Sequence, residues 1–177
     1  MITLRDARLE DVEAIRAIER AAAGRFDAIG MGGQGLDEPS SPEEVAKAIA
    51  AGEVIVACDG AGPPVGFITF HEVDGCAYVA EIDVLPSHAG RRIGGALIDE
   101  VDRRAATIGL RGLTLSTFRD VPWNAPYYRR LGFIDIPDAA LGEALLAIRA
   151  EHVGRGLDET KRTFMQRPLT PNGGVQG

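Results

Sequence analysis

Apolar residues recur at helical spacing near the start of the chain. Leu9, Val12, Ile15, Ile18 and Ala22 form one stripe, with Glu10, Asp11 and Glu13 at the end where acids complement the helix dipole. A short strand, Ile2 to Leu4, precedes this helix. The following stretch, GRFDAIGMGGQGLDEPS (24–40), holds five glycines and reads as a mobile loop. A second helix opens at Ser41, with Pro42 at the first helical position and Glu44 completing a capping box, and Gly52 stops it. Three strands come next: EVIVAC (53–58), VGFITFH (65–71) and CAYVAEIDV (76–84). Asp74-Gly75 is a two-residue hairpin signal, so the three form an antiparallel meander that Pro86 ends. Ile93, Leu97, Val101, Ala105 and Ile108 then mark one face of a helix over 91–108, closed by Gly109. LTLSTF (113–118) is a further strand, and a strand–helix–strand connection of this length predicts parallel pairing of 76–84 with 113–118. A short helix over 125–131, a strand over 133–136, an Ala/Leu-rich helix over 138–157 closed by Gly154 or Gly156, and a last strand over 161–167 complete the pattern. The expected class is α/β (α+β): a mixed, mostly antiparallel twisted sheet of about six or seven strands, flanked by helices. Residues 1–169 read as one domain and 170–177 as a flexible tail.

Composition narrows the classes. The chain has 177 residues, 45 % apolar and 25 % charged, enough for one sizeable core and unlike a disordered chain or a disulfide scaffold. No apolar run reaches the roughly 18 residues that a membrane span needs, and the N-terminal residues lack a signal peptide's apolar stretch. A cytoplasmic protein without a membrane partner is expected. The formal net charge of −7 lacks the footprint of a nucleic-acid binder. Residues 1–60 carry 12 acids against 6 bases, a skew that favours a cationic substrate or marks solvated helix faces. Cys58 and Cys76 lie in strand-like segments and read as packed thiols in a reducing compartment. His71, His88 and His152 have no metal-ligand spacing, so no metal is expected.

The segment AEIDVLPSHAGRRIGGALIDEV (80–101) carries the chemistry. A strand enters a loop that opens a helix, and the first turn contributes free N–H groups and the positive dipole end, an anion site. Gly94 and Gly95 let a phosphate approach the backbone, and Arg91 and Arg92 add charge, so a diphosphate is the natural ligand. The alternative is that the two glycines serve close helix–sheet packing. GxxxxGK[ST] is absent, and the glycine-rich GMGGQG (30–35) follows a helix where a dinucleotide fingerprint follows a strand.

LPSHAGRRIGGALI and WNAPYYRRLGF, together with the order of elements, resemble the GNAT superfamily of acetyl-CoA-dependent N-acetyltransferases. In that family a (Q/R)xxGx(G/A) turn opens the helix that holds the CoA pyrophosphate. Ala89, Arg92 and Gly94 occupy the motif positions here, with Ala89 where the family has Gln or Arg and Arg92 where it has the first glycine. A second pattern, N-x-x-x-Y-x-x-x-G-F, is met by Asn124, Tyr128, Gly132 and Phe133. The resemblance covers roughly residues 80–136 and implies transfer of an acetyl group from acetyl-CoA to a primary amine by direct attack in a ternary complex. A small amine is the expected acceptor. A non-catalytic acyl-CoA-binding module, or an enzyme using another acyl-CoA, stays open at this point.

The implied reaction needs a base, because an aliphatic ammonium of pKa about 10.4 is free amine in only about one molecule in 2,500 at pH 7. Glu81 and Asp83 lie two apart on one strand and share a face, and either serves as base unless the two are a solvent-facing or salt-bridged pair. His71 and Glu72 are weaker candidates. By resemblance, the loop from Ala89 through Gly90, Arg91, Arg92 and Ile93 to Gly94 and Gly95 binds the cofactor, and Val84 and Leu85 lend main-chain bonds to pantetheine beside a bulge. Tyr128 occupies the place of the family's general acid; its alternative role is to fill space between helix and sheet. A phenol protonating a thiolate is uphill by about 2 kcal/mol, tolerable within a catalytic step. Tyr127 reads as a pocket wall. Asn124 caps the short helix, contacts pantetheine, or does both. The acceptor wall is expected in 24–40, with Phe26, Asp27, Met31, Asp37 and Glu38, completed by Trp123 and the helix at 139–152 unless that apolar helix is simply core. A homodimer, common in the family, is permitted by an exposed sheet edge.

Overall fold

The computed structural model describes residues 1–31 and 39–169. Seven strands form one sheet: β1 (Ile2–Asp6), β2 (Val54–Asp59), β3 (Pro64–Val73), β4 (Cys76–Val84), β5 (Gly112–Phe118), β6 (Ile134–Asp135) and β7 (Arg162–Pro168), in the order β1-β2-β3-β4-β5-β7-β6. The helices are α1 (Val12–Asp27), α2 (Pro42–Ala50), α3 (Ile93–Thr107), α4 (Ala125–Arg130) and α5 (Glu143–Gly154). The meander β2-β3-β4 is antiparallel and β4 pairs with β5 in parallel, as the spacing of their connections requires. Asp74 and Gly75 both take positive φ at the β3–β4 hairpin, the twist-matched turn that the dipeptide favours.

Ile15, Ile18 and Val45 of α1 and α2 pack with Val54, Val56 and Phe67 in one core layer. Leu97, Ile98 and Val101 of α3 pack with Ile55, Ile68, Val79 and Leu113 in another. Leu141, Leu145, Tyr78, Ile136 and Phe164 form a third cluster beside α5. No helix among the described residues is long and apolar enough to cross a membrane.

Two features of β4 shape the centre of the sheet. Thr69 faces Glu81 but Phe70 faces Val79, so Ala80 is an extra residue, a β-bulge. Ala77 and Val79 before it, and Ile82 and Val84 after it, all join the α3-side core. The bulge has switched the parity of the strand and sends Glu81 and Asp83 to the opposite face. The parallel ladder also covers only Ala77–Val79 against Leu113–Leu115. Beyond it β4 pairs with β3 and Ser116–Phe118 pair with β7, so the sheet is open between β4 and β5.

Three sequence-based boundaries are corrected. α1 continues through Gly24 to Asp27, where a loop from 24 was expected. The Ala21–Ala23 run favours helix, and Phe26 gains ring contacts with Phe118 and Trp123 at 5.6 and 5.8 Å. α3 begins at Ile93 because Arg92, expected inside the helix, has φ of 59° and ends the loop in the left-handed region. The helix expected over 138–157 is a 3-10 turn at Asp138–Ala140, an extended Leu141 whose side chain is buried, and α5 from Glu143. The expectations for the glycine run beyond Met31, for Asp37 and Glu38, and for the 170–177 tail fall outside the described residues, as does the side chain of Asp27.

Backbone closeness between β5 and β7 is strict at Gly112, where a Cβ would stand 2.6 Å from the carbonyl oxygen of Arg167. Gly112→Ala is expected to lower stability by about 1–3 kcal/mol. Urea denaturation checks this as a lower midpoint at unchanged slope.

Candidate active site

The opening in the sheet is the floor of a groove of about 900 Å³. Ile82, Asp83 and Val84 come from β4, His88, Ala89, Gly90 and Arg92 from the loop, Ile93, Gly94 and Gly95 from α3, and Asn124, Tyr127 and Tyr128 from α4 and its cap. Ala96 is the first residue of α3 whose N–H reaches back, to the carbonyl of Arg92 at 3.0 Å, so the N–H groups before it have no partner within the helix. Gly90, with φ of 77°, makes the turn into this segment. Gly94 meets the close-packing reading: a Cβ there would lie 3.0 Å from the Tyr127 hydroxyl, which accepts a hydrogen bond from the N–H of Gly95. Tyr127 is thus a groove wall packed on the glycine turn.

The other residues divide clearly. Arg92 lines the groove, whereas Arg91 is paired with Asp59 at 2.7 Å, beside the N-terminal ammonium at 3.0 Å. Those two cations hold Asp59 down at about 2. Val84 lines the groove. Leu85 donates its N–H to Val65 at 2.9 Å and its carbonyl accepts from His88 at 2.8 Å, so its main chain is engaged inside the fold. Asn124 stands at the N-cap of α4, but its amide donates to Thr117 Oγ1 at 2.7 Å and makes no side-chain cap bond, contrary to the capping expectation. Phe26 and Trp123 line the groove, with Arg25 stacked on Trp123 at 4.6 Å. Met31 is half-buried and lines neither this groove nor the cavity on the other face of β4.

Tyr128 is buried, edge-on to Tyr127 and Phe133 at 5.5 and 5.7 Å. Burial, with the charge of Asp83 nearby, pushes its phenol well above the ordinary range, so it stays protonated.

On the far side of β4 lies a second cavity of about 720 Å³, between α1, α2, the sheet and α5. Asp83 lines both cavities. Beside it are Glu81 and a residue the sequence reading missed, Glu19 of α1, which is 5 % exposed. Glu81 is hydrogen-bonded to both Glu19 and Asp83. Burial, then the neighbouring carboxylates, hold Glu81 well above the usual carboxylate range. Burial and Glu19 raise Asp83 to about 7, against the opposing hydrogen bond from Glu81 and the field of Arg25. Glu81 and Asp83 therefore titrate together and retain a proton near neutrality. One signal for Glu19 was legible: it follows Ile15 by four residues, which puts an acid about 40° from a core position. Arg155 and Arg162 also line this cavity and were likewise missed. Of the weaker base candidates, His71 lines this cavity, its ring tilted against Tyr78 at 5.5 Å. Glu72 is exposed one residue further along β3.

Known proteins share this architecture. N-acetylglutamate synthase from Neisseria gonorrhoeae, solved with coenzyme A and N-acetyl-glutamate, superposes with a TM-score of 0.71 at 17 % identity over 96 % of the chain. The chain spans about a third of that protein, 35 % of its length. The PaiA N-acetyltransferase of Thermoplasma acidophilum, in complex with coenzyme A, gives 0.69 at 17 % identity over 95 % of this chain and 99 % of its own. A phosphinothricin acetyltransferase from Sinorhizobium meliloti, in complex with AcCoA, gives 0.66 at 25 % identity over 99 % and 95 %. The family model for the acetyltransferase (GNAT) family matches residues 16–133, two thirds of the chain and the whole stretch from α1 through the sheet opening to Phe133. With a glycine turn at the start of α3, the bulged β4 and a buried tyrosine on α4 all inside that match, this chain belongs to the GNAT family of acetyltransferases.

Proposed function

We propose that the protein transfers the acetyl group of acetyl-CoA to a primary amine by direct attack, the donor lying in the groove and the acceptor entering from the second cavity. The observation that carries this reading is the carboxylate of Asp83 standing where the two cavities meet, next to the buried phenol of Tyr128. Relatives of the same fold are described in complex with coenzyme A or AcCoA.

The groove suits such a donor. N–H groups at the start of α3 that have no partner within the helix, and the cation of Arg92, fit a diphosphate. Val84, past the bulge, offers main chain to the pantetheine arm. Acetyl-CoA supplies an activated acetyl thioester. Asp83 takes the proton of the acceptor ammonium: raised to about 7, it is matched to the task, being ionised in a large share of molecules at neutral pH while still basic enough to accept. Glu81 keeps a proton and shares it with Asp83. Tyr128 gives its proton to the departing thiolate.

Calorimetric titration tests the donor site. Acetyl-CoA and CoA are expected to bind saturably and ATP is not; a folded protein that binds no acetyl-CoA at millimolar concentration overturns the reading. Tyr128→Phe is expected to lower kcat by about a hundredfold or more while the Kd for acetyl-CoA moves less than about twofold. Unchanged turnover would remove Tyr128 from the mechanism.

A base with a raised pKa works only once it has lost its proton, so kcat should climb as pH rises through about 7 and level off above it. Asp83→Asn is expected to abolish that limb and cost about 10²–10⁴ in kcat. A pH–kcat profile of wild type and variant decides it.

A further inference from the structure

The second cavity is lined by carboxylates and by guanidiniums. At the sheet end Glu19, Glu81 and Asp83 stand together, and Arg25 is the cation whose field reaches Asp83. Glu19 Oε2 is buried and makes no hydrogen bond among the described residues. An orphaned carboxylate oxygen on a cavity wall is satisfied by a donor from whatever fills that cavity.

Beside α5 the same cavity is lined by two guanidiniums, Arg155 and Arg162. Glu159 pairs with Arg162 at 3.3 Å and with His152 at 2.9 Å, and Arg162 also donates to the carbonyl of Ser116 at 3.1 Å. Arg155, exposed at the end of α5, adds a guanidinium with no hydrogen bond or ion pair of its own among the described residues. Its field acts on Arg162 and, with the opposite sign, on Glu44 across the cavity. Two guanidiniums sharing a wall, one of them buried, form a seat for an anion.

We infer that the acceptor is dipolar: a small primary amine that also carries a carboxylate, its ammonium among Glu19, Glu81 and Asp83 and its carboxylate at Arg155 and Arg162. The inference rests on the acetyl-transfer reading and names its substrate class. Glu19 becomes a binding residue for the ammonium, and Arg155 the residue that separates amino acids from plain amines. A diamine of the same length would press its second ammonium against the guanidiniums.

The test measures CoA thiol release with matched acceptors: glycine against methylamine, β-alanine against ethylamine, γ-aminobutyrate against propylamine, and lysine against cadaverine. The best acceptor is expected to carry a carboxylate and to exceed its partner at least about tenfold in kcat/KM. Arg155→Gln, at an exposed position, is expected to collapse that ratio about tenfold through KM. Arg103→Gln, the same loss of charge on the exposed face of α3, leaves the ratio intact. If plain amines or cadaverine are preferred, or Arg155→Gln leaves the ratio unmoved, the dipolar acceptor is wrong while acetyl transfer stands. Release with no amine at all, from protein that binds acetyl-CoA, overturns the acetyl-transfer reading and this inference with it.

Discussion

A single inserted residue, Ala80, decides where the chemistry of this protein sits. In an unbroken strand Glu81 and Asp83 would share the face of Ala77 and Val79 and meet the apolar side chains of α3. The bulge turns them toward α1 and lets Ile82 and Val84 take the α3 side instead. The same strand parts from β5 after Val79, so the carboxylates stand at the edge of an opening that reaches both faces of the sheet. Glycine turn, tyrosine and acid cluster converge there because one strand changes its parity and its partner within a few residues.

The carboxylate cluster works against the fold that holds it. Raised pKa values mean that the native state keeps protons that the unfolded chain has already lost. As pH rises from the ordinary carboxylate range through neutrality the unfolded state is favoured, and the penalty is complete above the native pKa values. The core layers on both sides of β4 offset this cost. A cationic group docked among the three acids would relieve it, which ties the stability of the empty site to the affinity of the filled one.

Charge elsewhere is sorted by its neighbours in the same way. Arg91 is drawn to Asp59, which also holds the chain's own ammonium, whereas its neighbour Arg92 lines the groove. Left-handed backbone at Arg92 starts α3 late and exposes the turn's N–H groups. Beside α5 Glu159 holds Arg162, and Arg162 and Arg155 both line the second cavity.

Local chemistry made much of this legible in the sequence. The capping box at Ser41, the Asp74-Gly75 turn, the period-2 strands of the meander and the length of the crossover to 113–118 each depend on neighbours a few residues away, and the structure agrees with all of them. Alternation also showed that Glu81 and Asp83 share a face. It did not show which face, because a bulge is defined only by the partner strand: Ala80 is extra only in relation to Thr69 and Phe70. Glu19 joins the acids from a helix some sixty residues upstream, and Arg155 and Arg162 face them from the other end of the chain. Spacing along a sequence reports periodicity, whereas charges brought together across a cavity are set by packing alone. The sequence by itself therefore determined the elements, their order and the glycine turn; the third carboxylate, the cation wall and the meeting of two cavities at Asp83 were decided only when the sheet closed against α1 and α5.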